Sequence, residues 1–142
     1  MRVDFYHLTR DPAPQAIAEI APKALARDLR MLIVSGHAEQ RDAVSQALWN
    51  APGFLAHGEA GGAADARQPL LLSDRVDAAN GAQIVGFADG EWREADGFDR
   101  AMLFFDESAI EAARDTWRSL KSRDGVERHY WKQEEGGWRE MG

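Results

Sequence analysis

The sequence contains no cysteine, which excludes disulfides, thiolate nucleophiles and thiolate metal sites together. No apolar run approaches the roughly 20 residues that a membrane-spanning helix needs, so no membrane partner is expected. Met1-Arg2-Val3-Asp4 leads straight into a strand-like stretch without the marks of a secretory signal. A soluble cytoplasmic protein is the expected class. Basic residues are the minority, 17 Lys plus Arg against 24 Asp plus Glu, for a net charge of −7. Nucleic-acid affinity comes largely from basic side chains that neutralise phosphates, so DNA is expected to be met only indirectly, through another protein.

Catalytic patterns are also missing. Neither G-x-x-x-x-G-K-S/T nor a strand-to-helix G-x-G-x-x-G occurs. Gly58-Glu59-Ala60-Gly61-Gly62 is glycine-rich but carries an acid where a phosphate would sit, and it reads as a plain loop. His7, His37, His57 and His129 are scattered, with no paired spacing and no carboxylate at a metal-ligand offset. No serine sits in G-x-S-x-G. Nothing in the surroundings of Asp96, Asp99, Asp106 and Glu107 sets two carboxylates to opposite tasks. No catalytic, cofactor-binding or metal-binding residue is predicted, and no enzyme activity of the chain by itself.

What is present fits a single domain over residues 1–142. The chain is 44% hydrophobic and 29% charged, and at this length it buries roughly two thirds of its unfolded surface. Arg2 to His7 alternates apolar and polar residues, the pattern of a half-buried strand. Ile17, Ile20, Ala21, Ala24 and Leu25 recur at helical spacing, although Pro22 interrupts them. Met31-Leu32-Ile33-Val34 is continuous and apolar, as a strand covered on both faces should be. Gln40 to Trp49 reads as a helix, Asn50 to Gln68 as a surface loop, and Leu70-Leu71-Leu72 as a short buried strand. Asn80-Gly81 marks a turn. Gln83 to Phe87 and Ala101 to Phe105 read as further strands, and His129 to Trp138 as a strand or a small hairpin turning at Gly136-Gly137. The alternation predicts a three-layer α/β/α fold with a mostly parallel central sheet. Its topology is nucleotide-binding-like but without a phosphate loop.

The helix predicted from Glu107 to Arg123, capped by Asp106 or Ser108, carries the sharpest signal. Ile110, Ala113, Trp117 and Leu120 form an apolar stripe that should face the sheet. Arg114, Arg118 and Lys121 lie beside it, spaced i, i+4 and i+7, with Trp117 on the border. An aromatic flanked by cations suits an acidic peptide ending in an apolar group. The same pattern also describes core packing with cations complementing the helix dipole. Trp49 and Phe54 flank a Pro-Gly turn, where they either line a shallow pocket or pin the loop to the core.

Several segments resemble the chi subunit family of bacterial DNA polymerase III. They are Phe5-Tyr6-His7-Leu8, Ala47-Leu48-Trp49, Phe54-Leu55-Ala56-His57-Gly58, and Arg67-Gln68-Pro69-Leu70-Leu71-Leu72. Asn80-Gly81-Ala82, Ala113-Arg114-Asp115-Thr116-Trp117-Arg118 and Tyr130-Trp131-Lys132-Gln133 follow in the family's order. The resemblance implies a non-catalytic accessory subunit of the clamp-loader complex in DNA replication. It implies two partners, the acidic C-terminal tail of single-stranded-DNA-binding protein and the psi subunit or another clamp-loader subunit. By the same resemblance the tail-binding Arg falls on Arg114 and the following aromatic on Trp117. Pocket aromatics fall on Trp49 and Phe54, and neighbouring basic positions on Arg118 and Lys121. Ile110 stands where a family member has Lys, which shortens the cationic cluster. The competing reading is a small α/β nucleotide- or phosphate-binding enzyme using loops at the strand C-terminal ends. A third is a purely structural subunit that holds a partner through an exposed apolar face.

Overall fold

The computed structural model describes residues 1–53 and 55–141. In chain order the elements are β1 (Arg2–His7), α1 (Ala13–Ala26), β2 (Met31–Val34), α2 (Ala38–Asn50), β3 (His57–Glu59), β4 (Leu70–Ser73), β5 (Ile84–Phe87), β6 (Arg100–Phe105), α3 (Ile110–Leu120), β7 (Glu127–Glu134) and β8 (Gly137–Glu140). The strands form one eight-stranded sheet in the order β3-β4-β2-β5-β6-β1-β7-β8. Among the described residues every neighbouring pair is parallel except the β7–β8 hairpin. Helices α1 and α2 cover one face and α3 the other, giving the expected three layers.

Strand periodicity distributes the core between the two faces. In β2, Met31 and Ile33 pack toward α1 and α2, whereas Leu32 and Val34 pack toward the α3 side. In β1, Val3 and Phe5 face the α3 layer and Tyr6 the α1 layer. The turn after β4 is fastened by Asn80, whose side-chain amide donates to the carbonyls of Met31 and Gln68, while Gly81 takes φ 69°.

Several elements differ from the sequence expectation. Helix α1 runs through Pro22. Proline forfeits one ladder bond, but the buried face of Ala16, Ile17, Ile20, Ala21 and Ala24 holds the helix to the sheet on both sides of it. The stretch read as loop from Asn50 to Gln68 contains β3, paired in parallel with Leu70–Leu72, and a 3-10 turn at Asp65–Arg67. Asp65 accepts hydrogen bonds from the backbone N–H groups of Gly61 and Gly62 at 2.9 and 3.1 Å. The glycine-rich segment thus satisfies its amides with its own carboxylate. The helix expected from Glu107 to Arg123 is a 3-10 turn at Glu107–Ala109 followed by α3, which ends at Leu120.

Candidate functional site

Helix α3 starts from Asp106, whose carboxylate accepts the Ser108 N–H at 2.9 Å. Ala113 and Leu120 are buried against the sheet, and Ile110 and Trp117 pack on the same cluster. Trp117 meets Phe5 edge-on at 5.2 Å and Tyr130 edge-on at 5.8 Å. One face of its indole is covered by Arg128 of β7, with the guanidinium 4.1 Å from the ring centroid. Trp117 is therefore packed on the core on one side and covered by a cation on another.

The exposed flank of α3 carries the cations. Arg114 pairs with Glu111 at 3.0 Å and Arg118 pairs with Asp115, each one turn away and exposed on both sides. Exposed pairs of this kind contribute about 0 to 1 kcal/mol, so they hold the two guanidiniums only weakly. Lys121, at the C-cap of the helix, has no ion pair among the described residues. Tyr130 connects this flank to β1. Burial raises its phenol above the usual value, the positive charge of Arg114 opposes that shift, and Glu107 reinforces it. Its hydroxyl lies 3.3 Å from His7 Nδ1, and His7 Nε2 lies 2.9 Å from Glu107 Oε1. A neutral His7 protonated on Nε2 satisfies both contacts.

At the carboxyl ends of β1, β2, β5 and β6 lies a crevice of about 500 Å³. This is where doubly wound sheets hold nucleotides, yet its chemistry is acidic. Asp11, Glu39, Asp89 and Asp106 line it, outnumbering Arg10 and His37. Asp89 accepts the Gly36 N–H at 2.9 Å and pairs with Arg93 at 2.8 Å. Burial pushes the Asp89 carboxyl up, but the hydrogen bonds from Arg93 and Gly36 outweigh it and hold the group below its ordinary value. Helix α1 opens with Pro12 as N-cap and Pro14 in its first turn, positions that lack the N–H groups an anion would use. No group of three metal-ligating side chains occurs among the described residues. No helix among them is long and apolar enough to cross a membrane.

The model of the family described as DNA polymerase III chi subunit, HolC, matches residues 1–127. The chain belongs to that family. Comparison with individual curated proteins finds no match.

The family match contains all the predicted site residues, but the structure does not bring them together. Arg114, Trp117 and Arg118 share α3, with Lys121 at its C-cap. Trp49 ends α2, which packs on α1 across the opposite face of the sheet and over its other end. It is 53% exposed, and its ring lies 4.3 Å from that of His57. His57 is fixed in turn, its Nδ1 2.8 Å from the Leu55 carbonyl and its Nε2 2.8 Å from Ser45 Oγ. Phe54 lies outside the described residues. Trp49 is thus not a wall of the α3 site, because which face a helix covers is set by strand order and crossover, neither of which the local sequence states.

Sequence reasoning missed Arg128 and Tyr130 as neighbours of Trp117, and His7 as a neighbour of Tyr130. The parallel pairing of β1 with β7 brings them there, setting Phe5 opposite Tyr130 and His7 opposite Lys132. A period-2 reading of Arg128 and Tyr130 as one face of β7 was the available signal.

Proposed function

We propose that this chi-family chain is a non-catalytic adaptor of the bacterial DNA polymerase III clamp-loader complex, working in the cytoplasm. It docks the acidic C-terminal tail of single-stranded-DNA-binding protein on the α3 flank. The supporting observation is a row of exposed cations beside an aromatic wall. A chain of net charge −7 sets Arg114, Arg118 and Lys121 along one exposed flank, beside the Trp117–Tyr130 wall. The cations supply charge-assisted hydrogen bonds to Asp side chains and a terminal carboxylate. The aromatic wall takes an apolar terminal side chain.

A psi-type or other clamp-loader subunit then has the opposite face, where Trp49 is exposed. The two partners would not compete. The nucleotide-binding alternative is disfavoured by the carboxylates and prolines of the strand-end crevice, which repel a phosphate and withhold its donors.

The test is calorimetric titration with an acidic peptide ending in Pro-Phe with a free carboxylate. Binding that weakens in high salt and drops by at least about tenfold in Arg114→Ala is expected. The same variant should unfold within about 0.5 kcal/mol of the wild type, because its ion pair is exposed. Absence of binding at low salt overturns the tail-docking reading.

A further inference from the structure

On the face opposite α3, a groove of about 380 Å³ runs between α1 and the β7–β8 hairpin. Its apolar surface comes from Tyr6, Met102, Trp131 and Trp138, with Ile20 and Ala24 of α1 on the other side. Lys23, Arg27 and Arg100 stand around it, and no acidic side chain lines it. Among the described residues neither Lys23 nor Arg27 has an ion pair. Both lie at the carboxyl end of α1, where the helix dipole favours cations and lets them gather without a counter-ion.

The base of the groove is organised by a buried carboxylate. Asp4 is fully buried in β1 and accepts hydrogen bonds from Arg2, from Arg100 Nε at 2.6 Å, and from the Trp131 indole N–H at 2.8 Å. Arg100 alone of the two guanidiniums lines the groove, while Arg2 reaches the carboxylate from outside it, with Glu127 near. Arg100 also donates to the Tyr6 hydroxyl at 3.1 Å. That hydroxyl is buried, and its own proton has no acceptor among the described residues. Burial, seconded by Asp4, pushes the Tyr6 phenol up to about 12, so it remains a donor at any physiological pH.

From this juxtaposition we infer that the groove is a second peptide-docking site, for an acidic segment of a partner protein that inserts one apolar side chain between Trp138 and α1. The volume accepts one large side chain and not a folded surface. The unpaired cations Lys23 and Arg27 and the free Tyr6 donor complement carboxylates flanking that side chain. The hairpin supplies Trp131 and Trp138, which lie beyond the family-matched residues. The site shares no residue with the α3 flank and stands or falls independently of the tail-docking reading.

The test uses a blocked peptide, acetyl-Asp-Asp-Phe-Asp-Asp-amide, carrying benzoylphenylalanine in place of Phe for cross-linking. It is titrated into the full chain and into three variants: Arg114→Ala, Lys23→Glu/Arg27→Glu, and the combination. The expected result is binding retained in Arg114→Ala and weakened at least about tenfold by the α1 charge reversal. Cross-links should map to β6 or the hairpin. Lys23 and Arg27 are exposed, so the reversal leaves the fold intact, and a urea melt verifies this. No binding to the Arg114→Ala variant, binding indifferent to the reversal, or cross-links confined to α3 overturns the proposal.

Discussion

Arg128 sits over the indole of Trp117 and donates from Nη1 to the Trp117 backbone carbonyl at 2.6 Å. One strand residue thus holds both the ring and the backbone of one helix residue. The cation nearest the tryptophan face comes from β7 and not from α3 itself.

If this clamp is energetic, the two residues must be coupled. Trp117→Ala should destabilise the chain by about 2 to 3 kcal/mol, somewhat less than a fully buried aromatic. Arg128→Ala should cost about 1 kcal/mol through lost stacking and its hydrogen bond. In a double-mutant cycle read by urea unfolding, the double variant should cost about 1 kcal/mol less than the sum. Strict additivity would show that the stacking contributes nothing.

Asp4 presents a larger effect. Removing its carboxylate strands Arg2, Arg100 and the Trp131 N–H without their acceptor. Asp4→Ala should cost about 3 to 5 kcal/mol, the range for breaking one side of a buried ion pair. Arg2→Ala, at a partly exposed partner, should cost far less. Equal losses in the two variants would mean that Asp4 is not the hub.

Alkaline stability should report on Tyr6. Its phenol is raised in the folded chain from 10.0 to about 12, so the folded state keeps a proton that the unfolded state has lost. The contribution is therefore complete below pH 10 and disappears as pH rises toward 12. Over that window the linked stability amounts to about 2 to 3 kcal/mol. Tyr130 shifts in the same direction. Tyr6→Phe should flatten the decline in melting temperature above pH 10, and an unchanged slope would remove Tyr6 from the account.

Much of the fold was legible because it is local. The four apolar residues of β2, the alternation in β1, the Gly136-Gly137 turn and the two stripes of α3 are each determined within a few positions. The cationic half of the candidate site was legible for the same reason, since i, i+4 and i+7 on a helix imply a shared flank. Long-range pairing was not legible. His57–Glu59 forms a strand only because Leu70–Leu72 lies beside it, and Gly58 argues against a strand when read alone. Asp4 in an alternating stretch looks solvent-facing, yet Arg100 and Trp131 from distant strands close over it. Trp49 reads as a pocket aromatic from its neighbours, and only the crossover of α2 assigns it to the other face.

The interior position of β1 has a consequence for how the chain acquires its shape. Its partners are β6 on one side and β7 on the other, so Arg2 waits for Arg100 and Glu127. β1 is synthesised well before either partner, which leaves Val3, Phe5 and Tyr6 uncovered until those partners follow. Non-local pairing of this kind slows folding and leaves strand edges open to misassociation. Both edges of β1 thus stay open until β6 and β7 arrive to close them.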